Sequence, residues 1–185
     1  MSRLLIIGAG GYGRTVAEAA AITGKYSSIA FVDDSYEDGK TSGRYSIVGS
    51  SDNLAELTGS FDFAVAAIGN NRIRKEKTER LLAAGYSLAT IIHPRTYVSI
   101  DAEIGEGTTI MAGAVVGPYA KIGRGCILNA NATADHDSVM HDYAHLGVGV
   151  AIAGTSTLGE GAWLQAGCAA GYGVVIPKWE VVSNI

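Results

Sequence analysis

The sequence predicts an α/β N-terminal domain followed by a parallel β-helix built from six-residue repeats, and two observations carry that prediction. From Val98 to Val182 every sixth residue is aliphatic or nearly so: Val98, Ile104, Ile110, Val116, Ile122, Leu128, Ala134, Met140, Leu146, Ile152, Leu158, Leu164, Ala170, Ile176 and Val182. Four residues after most of these stands a small one, as at Ala114, Ala120, Cys126, Ala132, Ala144, Ala162 and Cys168. A period of six matches neither a 3.6-residue helix nor an alternating strand, and it is the signature of a parallel β-helix. The second observation is that the first ninety residues follow another rule, in which apolar runs alternate with glycine turns and helical stretches.

In that first segment Leu4–Ile7 reads as a strand, Gly8-Ala9-Gly10-Gly11-Tyr12-Gly13 as a glycine turn, and the stretch from Arg14 to Gly24 as a helix. The G-x-G-x-x-G spacing of Gly8, Gly10 and Gly13, with Gly11 between, lets backbone N–H groups at a helix N-terminus approach a phosphate. Ile29–Val32 is a second strand ending at Asp33 and Asp34, where Rossmann-type folds hold a ribose or a base. A short helix near Asp52–Leu57, a strand at Phe61–Ile68, the loop Gly69-Asn70-Asn71, a charged helix at Arg72–Ala84 and a strand at Leu88–Ile92 complete the set. Four strands are room for little more than one mononucleotide-binding half, whereas a full dinucleotide fold has six. NAD is therefore disfavoured, and a nucleotide or nucleotide-linked group is expected at Gly8, Gly10, Gly11, Gly13, Asp33, Asp34, Gly69, Asn70 and Asn71. The alternative is that the glycines close a tight turn and Asp33 is a solvated carboxylate. The X-Pro step at His93-Pro94 disfavours helix and marks the hinge, giving expected domains at 1–93 and 94–185.

Composition narrows the partners. The 185 residues carry a net charge of −4 with no Lys/Arg run, so no nucleic-acid footprint or anionic-membrane patch is visible and small molecules are expected instead. Only 3 Pro accompany 25 Gly, which assigns the glycine to tight coils and not to disorder. Cys126 and Cys168 both occupy the small inward position of the repeat, which suggests no disulfide framework and a cytoplasmic protein. No apolar run approaches membrane-spanning length, and Leu4–Ile7 is too short for a signal-peptide core.

Three of the four histidines, His136, His141 and His145, fall between Asn131 and Gly147. Three readings of them are open. His136 and His141 are five apart, the spacing of the metal pair in hexapeptide-repeat carbonic anhydrases, but the place of the third ligand, near Ile100 and Asp101, has no histidine, so no metal is expected. His136 beside Asp135 and Asp137 could be a general base whose tautomer a carboxylate sets. Or all three are surface residues of a solvated coil, the reading favoured for His141.

These pieces together resemble the bacterial sugar O- and N-acyltransferases that join a small Rossmann-like domain to a left-handed β-helix, among them the UDP-amino-sugar acetyltransferases of the bacillosamine pathway and the sialic acid O-acetyltransferases. The resemblance is carried by Gly8–Gly13, Val32-Asp33-Asp34, Ile68-Gly69-Asn70-Asn71 with Arg72 and Arg74, His93-Pro94, and Asn131 to His145 ending at Gly154. It implies three hexads per coil, so that residues eighteen apart stack and side-chain-free Gly154 lies one coil on from His136. It further implies a homotrimer with acetyl-CoA in a groove between prisms, a nucleotide-linked amino sugar held by the N-terminal domain, His136 as base oriented by Asp137, and His145 and the Gly154 N–H near the thioester. The acceptor expected on this basis is a UDP-4-amino-4,6-dideoxy sugar; a sialic acid O-acetyltransferase or a non-catalytic trimeric nucleotide-sugar-binding module are the alternatives. One departure is that family members usually continue into further glycine-rich repeat, whereas this chain stops at Ile185 after an irregular Lys178-Trp179-Glu180, so the C-terminus reads as short.

Overall fold

The structure is a computed structural model that describes residues 2–183. Positions 184 and 185, on which the expected shortening of the repeat bears, lie outside the described residues. The chain divides into two compact units, one ending at Ile91 and the other beginning at Ile92.

In the first unit, β1 (Ser2–Ile7), α1 (Gly11–Ile22), β2 (Tyr26–Val32), a small hairpin of β3 (Thr41–Ser42) and β4 (Tyr45–Ser46), a single turn α2 (Leu54–Leu57), β5 (Phe63–Ala66), α3 (Asn71–Ala83) and β6 (Ser87–Leu88) follow in order. Four of the strands form a parallel sheet in the order β2-β1-β5-β6. Central β1 is buried from Leu4 to Ile7 on both faces, which is why it reads as an unbroken apolar run and not as an alternation. Two glycines at its C-terminal end are sterically required. Gly8 has φ of 101°, and a Cβ on Gly13 would overlap the Gly8 carbonyl and touch Phe31, so α1 can lie this close to the sheet only without a side chain there. Helix α3 starts where the Asn70 side chain accepts from the N–H groups of Arg72 and Ile73 at 3.0 and 3.1 Å, satisfying two otherwise orphaned donors.

The sequence reading takes Leu88–Ile92 as one strand, and the structure splits it. Ser87–Leu88 pairs with β5, whereas Ile91–Ile92 is the first rung of the β-helix. Ile92 is six residues before Val98, so the repeat begins one hexad earlier than its clear aliphatic run. A short apolar stretch carries no mark of a change of partner halfway along. The β3–β4 hairpin, turning at Gly43 with φ of 59°, is also absent from the sequence reading, because two-residue strands leave no periodicity to detect.

The second unit is a three-faced parallel β-helix. Its first face stacks Ile91–Ile92, Thr109–Ile110, Ile127–Leu128, His145–Leu146, Trp163–Leu164 and Val181–Val182. The second runs from Tyr97–Val98 to Ala169–Ala170, and the third from Glu103–Ile104 to Val175–Ile176. Register advances by eighteen residues per rung, as in Val115↔Thr133↔Ala151↔Ala169. The aliphatic row points inward and forms one buried column, with Cys126 and Cys168 in it as free thiols. Full burial of one such side chain stabilises by about 1.5–3 kcal/mol. Strands of two residues supply little by themselves, so this column holds the coils together.

From Gly107 to Trp179 the corners turn through a residue with positive φ at every sixth position, whereas the first two corners, at Arg95 and Asp101, do not. Seven of these are glycine and six are not: Tyr119, Asn131, Asp137, Tyr143, Thr155 and Trp179, with φ between 57° and 63°. The corner geometry is thus imposed by the stacking and accepted even by Thr155, a β-branched residue for which the left-handed region is an outlier.

The glycine loop yields a paired expectation. Gly13→Ala should lower the stability of the protein by about 1–3 kcal/mol in urea denaturation, because a methyl must displace backbone. Gly10→Ala should stay within about 0.5 kcal/mol of the parent: its Cβ would meet nothing within 4 Å, and the weaker helix cap is offset by a stiffer unfolded chain. Equal losses in the two variants would show that the close approach of α1 does not depend on Gly13.

Candidate active site

The second residues of the corners between the second and third faces stand in one column: Ile100, Pro118, His136, Gly154 and Tyr172, eighteen apart. His136 is fixed in this column from both sides. Its N–H donates to Asp135 Oδ1 at 2.7 Å, and its Nδ1 lies 2.8 Å from Asp137 Oδ2. Asp137 is the left-handed residue of the corner, φ 57°, a conformation that Asp tolerates better than most side chains. That conformation turns its carboxylate back onto the ring. The hydrogen bond to Asp137 is the largest influence on the imidazole and, with the nearby charge of Asp135, holds its pKa above the ordinary histidine value.

The other edge of the ring lies over Gly154, where any Cβ would overlap Nε2 and Cε1. The Gly154 peptide is held on its carbonyl side, which accepts from Thr155 Oγ1 at 2.6 Å and from the Gly173 N–H at 3.2 Å. Thr155 N–H donates to the His136 carbonyl at 3.0 Å. Among the described residues the Gly154 N–H donates to no protein acceptor. The Nε2 edge of the imidazole and an unspent backbone donor are therefore neighbours at Gly154. A base beside an oxyanion donor is the arrangement acyl transfer requires.

His145 stands elsewhere in the prism. It belongs to the first face, stacked on Trp163 with ring centroids 5.1 Å apart and planes at 3°, and is 5% exposed. The first face lies opposite the corner that carries His136, so one prism cannot bring the two histidines together. His141 is at a third place, the corner between the third and first faces, where it lines a cavity of about 400 Å³ with Asp142, Gly159, Glu160 and Lys178. Among the described residues no group of three or more His, Cys, Asp or Glu is placed to hold a metal ion.

In the first unit a cavity of about 460 Å³ opens where the loops after β1 and β2 meet, lined by Ala9, Gly10, Arg14, Asp33, Lys40 and Ser42 among others. Of the residues singled out from the sequence, Gly10 and Asp33 line it. Asp33 is also a staple: Oδ2 accepts from the Ala9 N–H at 2.7 Å, and Oδ1 from the Ser35 N–H and hydroxyl at 2.9 and 2.6 Å. Burial pushes its pKa up, but the Ser35 and Ala9 bonds outweigh that and hold it below the usual carboxylate range.

Asp34 is turned elsewhere, to the Ser51 hydroxyl at 2.5 Å and Lys77 Nζ at 2.9 Å, and these hold its pKa low. Gly8 and Gly13 make the strand-to-helix packing, and Gly11 opens α1. Asn70 is the cap of α3, Asn71 its buried first residue, and the Gly69 carbonyl accepts from Arg74 at 3.3 Å. Arg14, Lys40 and Ser42 were missed by the sequence reading. Arg14 was available as the cation in the first turn after the glycines, but Lys40 and Ser42 come from a hairpin the sequence did not reveal.

Comparison with known proteins adds to this geometry. Residues 3–81 match the PglD N-terminal domain, and residues 101–136 match the bacterial transferase hexapeptide family (six repeats). The UDP-N-acetylbacillosamine N-acetyltransferase of Bacillus subtilis (strain 168) is 34% identical over 114 residues, which are 60% of this chain and 52% of that protein. That match spans about half the length of this curated relative. A histidine-to-alanine variant of GDP-perosamine N-acetyl transferase from Caulobacter crescentus, solved in complex with CoA and GDP-perosamine, superimposes with a TM-score of 0.95 at 31% identity, over 99% of this chain and 86% of that one. The acetyltransferase domain of PglB from Neisseria gonorrhoeae FA1090, solved in complex with acetyl coenzyme A, gives a TM-score of 0.84 at 34% identity, over 99% of this chain and 96% of that one. With solved relatives above 30% identity matched along most of their length, on a parallel sheet joined to a six-residue β-helix, this chain belongs to the hexapeptide-repeat sugar acetyltransferase family.

Proposed function

We propose that this protein is an acetyl-CoA-dependent N-acetyltransferase acting on an amino sugar linked to a nucleoside diphosphate. The observation that carries the reading is the placing of His136 Nε2 against Gly154, whose N–H is uncommitted, while Asp137 holds the other ring nitrogen. The neutral amine of the sugar attacks the thioester carbonyl carbon, and its proton passes to His136 Nε2. The oxygen gains negative charge against the Gly154 N–H. Collapse of the tetrahedral intermediate breaks the C–S bond, and the imidazolium returns the proton to the departing thiolate. Asp137 keeps Nδ1 protonated, so that Nε2 is the lone-pair nitrogen.

The nucleotide belongs to the cavity of the first unit. Gly10 offers backbone to a phosphate at the N-terminus of α1, and Arg14 and Lys40 supply positive charge. A UDP-4-amino-4,6-dideoxy sugar is the first acceptor to assay, and its GDP-linked counterpart the second. We place the protein in the cytoplasm, in line with two buried free thiols; among the described residues no helix is long and apolar enough to cross a membrane. A homotrimer is the assembly this reading expects, with a neighbouring prism walling the groove for the acyl donor at the corner that carries His136; His145, whose ring nitrogens are buried within the chain, stays clear of that groove as the chain stands. Sedimentation should give three times the 19.1 kDa of the chain. A monomer that still turns over substrate would overturn the shared site.

The base assignment is tested by rate and by pH. His136→Ala should lower kcat by about 10²–10⁴, the usual cost of a positioned general base, with acceptor and CoA affinity little changed in calorimetry. Since the Asp137 bond raises the His136 pKa, protonated imidazole persists to higher pH and the rising limb of kcat/KM is displaced upward. Asp137→Asn removes that charge, so the limb and the His136 titration seen by NMR should both move to lower pH. A titration unchanged by Asp137→Asn would detach the carboxylate from the imidazole, and near-full activity of His136→Ala would sink the mechanism.

A further inference from the structure

We infer that Tyr172 sets the length of the acyl group, its ring forming the wall toward which the alkyl end of the thioester projects. This rests on the acetyl-transfer reading above. Tyr172 occupies the position of His136 two coils on, with Gly154 between them in the column. Coils stack about 4.8 Å apart, so side chains two coils distant that stood straight out would be separated by about 9.6 Å. The two ring centroids are instead 6.2 Å apart, with planes at 44°. The imidazole lies over Gly154, and the tyrosine ring is its neighbour on the C-terminal side.

Nothing about the fold asks for an aromatic ring there. Tyr172 is 73% exposed and sits between Gly171 and Gly173, of which Gly171 would meet nothing within 4 Å if given a side chain and Gly173 only the Thr155 hydroxyl at 3.7 Å. A Tyr side chain carries about 150–250 Å² of surface that is usually buried in a core or an interface. Here it is left beside the base.

The reaction geometry says which part of the substrate meets it. The amine must lie about 2.6–3.2 Å from His136 Nε2, the reacting atoms about 3–3.5 Å apart, and the oxygen about 2.7–3.1 Å from the Gly154 N–H. Together these confine the carbonyl carbon to the outer side of the imidazole beside Gly154, with Tyr172 as its neighbour on the C-terminal side. That carbon carries two further substituents, a methyl group and a sulfur bearing a long chain. The long chain has to leave toward solvent, which turns the methyl toward the tyrosine ring, and on the inference that the ring is a wall there is room for a methyl and not for a chain. Each added methylene then runs into the ring.

The test compares kcat/KM for acetyl-, propionyl- and butyryl-CoA on the best acceptor of the nucleotide-sugar panel. A pocket that rejects one methylene discriminates by about 10–200-fold, so the wild type should prefer acetyl to propionyl by that order and exclude butyryl further. Tyr172→Ala should reduce the acetyl-to-butyryl ratio by about 10-fold or more, and Tyr172→Phe, which keeps the ring, should retain the wild-type ratio. An unchanged ratio in the Ala variant, with the acetyl reaction still measurable, would overturn the inference and leave acetyl transfer standing, as would a Phe variant that lost selectivity. A wild type inactive with all three donors on every acceptor would overturn the transfer reading itself and this one with it. Sedimentation and circular dichroism of the Ala variant separate a loss of selectivity from a loss of assembly or fold.

Discussion

The rung register of the β-helix is the constraint on which the rest of this molecule depends. Because each coil is eighteen residues and each rung pairs directly with the next, a residue's neighbours in space are decided by arithmetic. The column Ile100, Pro118, His136, Gly154, Tyr172 is a consequence of the inward aliphatic row, since a slip of one residue would turn that row out of the core and scatter the column. The corner conformation follows from the same source. Positive φ recurs at every sixth residue from position 107 to position 179, and at Asp137 it places the carboxylate against the ring of its neighbour. The imidazole of His136, the carboxylate that holds it and the side-chain-free position of Gly154 beneath the ring are thus fixed by the backbone repeat and not by local packing.

The first unit reaches a comparable rigidity by satisfying polar groups. Asp33 binds the Ala9 N–H of the glycine loop to the segment after β2. Asp34 joins the Ser51 turn to α3 through Lys77, whose ammonium also donates to the Ser51 hydroxyl at 2.7 Å. Adjacent acidic residues after a strand therefore have separate duties, one at the cavity rim and one in the scaffold beneath. Both are held ionised by their donors, so each anchor keeps its charge at neutral pH.

The repeat was the most legible part of the chain, because its period survives substitutions as large as Met140 for Ala134 without losing phase. The parallel sheet was legible through β1 and the glycine turn, while the change of partner within 88–92 was not, for the reason that burial on both faces gives apolar runs no direction. Within the site, the His136–Asp137 pair and the opposing Gly154 could be read from the eighteen-residue spacing alone. The same spacing carried one coil further reaches Tyr172, so that residue was within reach. What spacing could not provide was the lateral position of His145, since knowing that a residue points outward from a face does not say which corner it serves. Nor could it separate Asp33 from Asp34, which differ only in side-chain direction after the strand.

The pairing of His136 with Asp137 sets two opposing effects against each other. A carboxylate on Nδ1 strengthens Nε2 as a proton acceptor, and the same stabilisation of the imidazolium lowers the fraction of enzyme in the neutral form at a given pH. How far this goes is limited by exposure: the side chains of the pair are 42% and 53% accessible, so water and salt screen the charge between them. The corner therefore sets a carboxylate close enough to fix the tautomer of the imidazole in a setting that water reaches, and both properties come from placing the pair on the outer edge of a coil whose inward residues are buried.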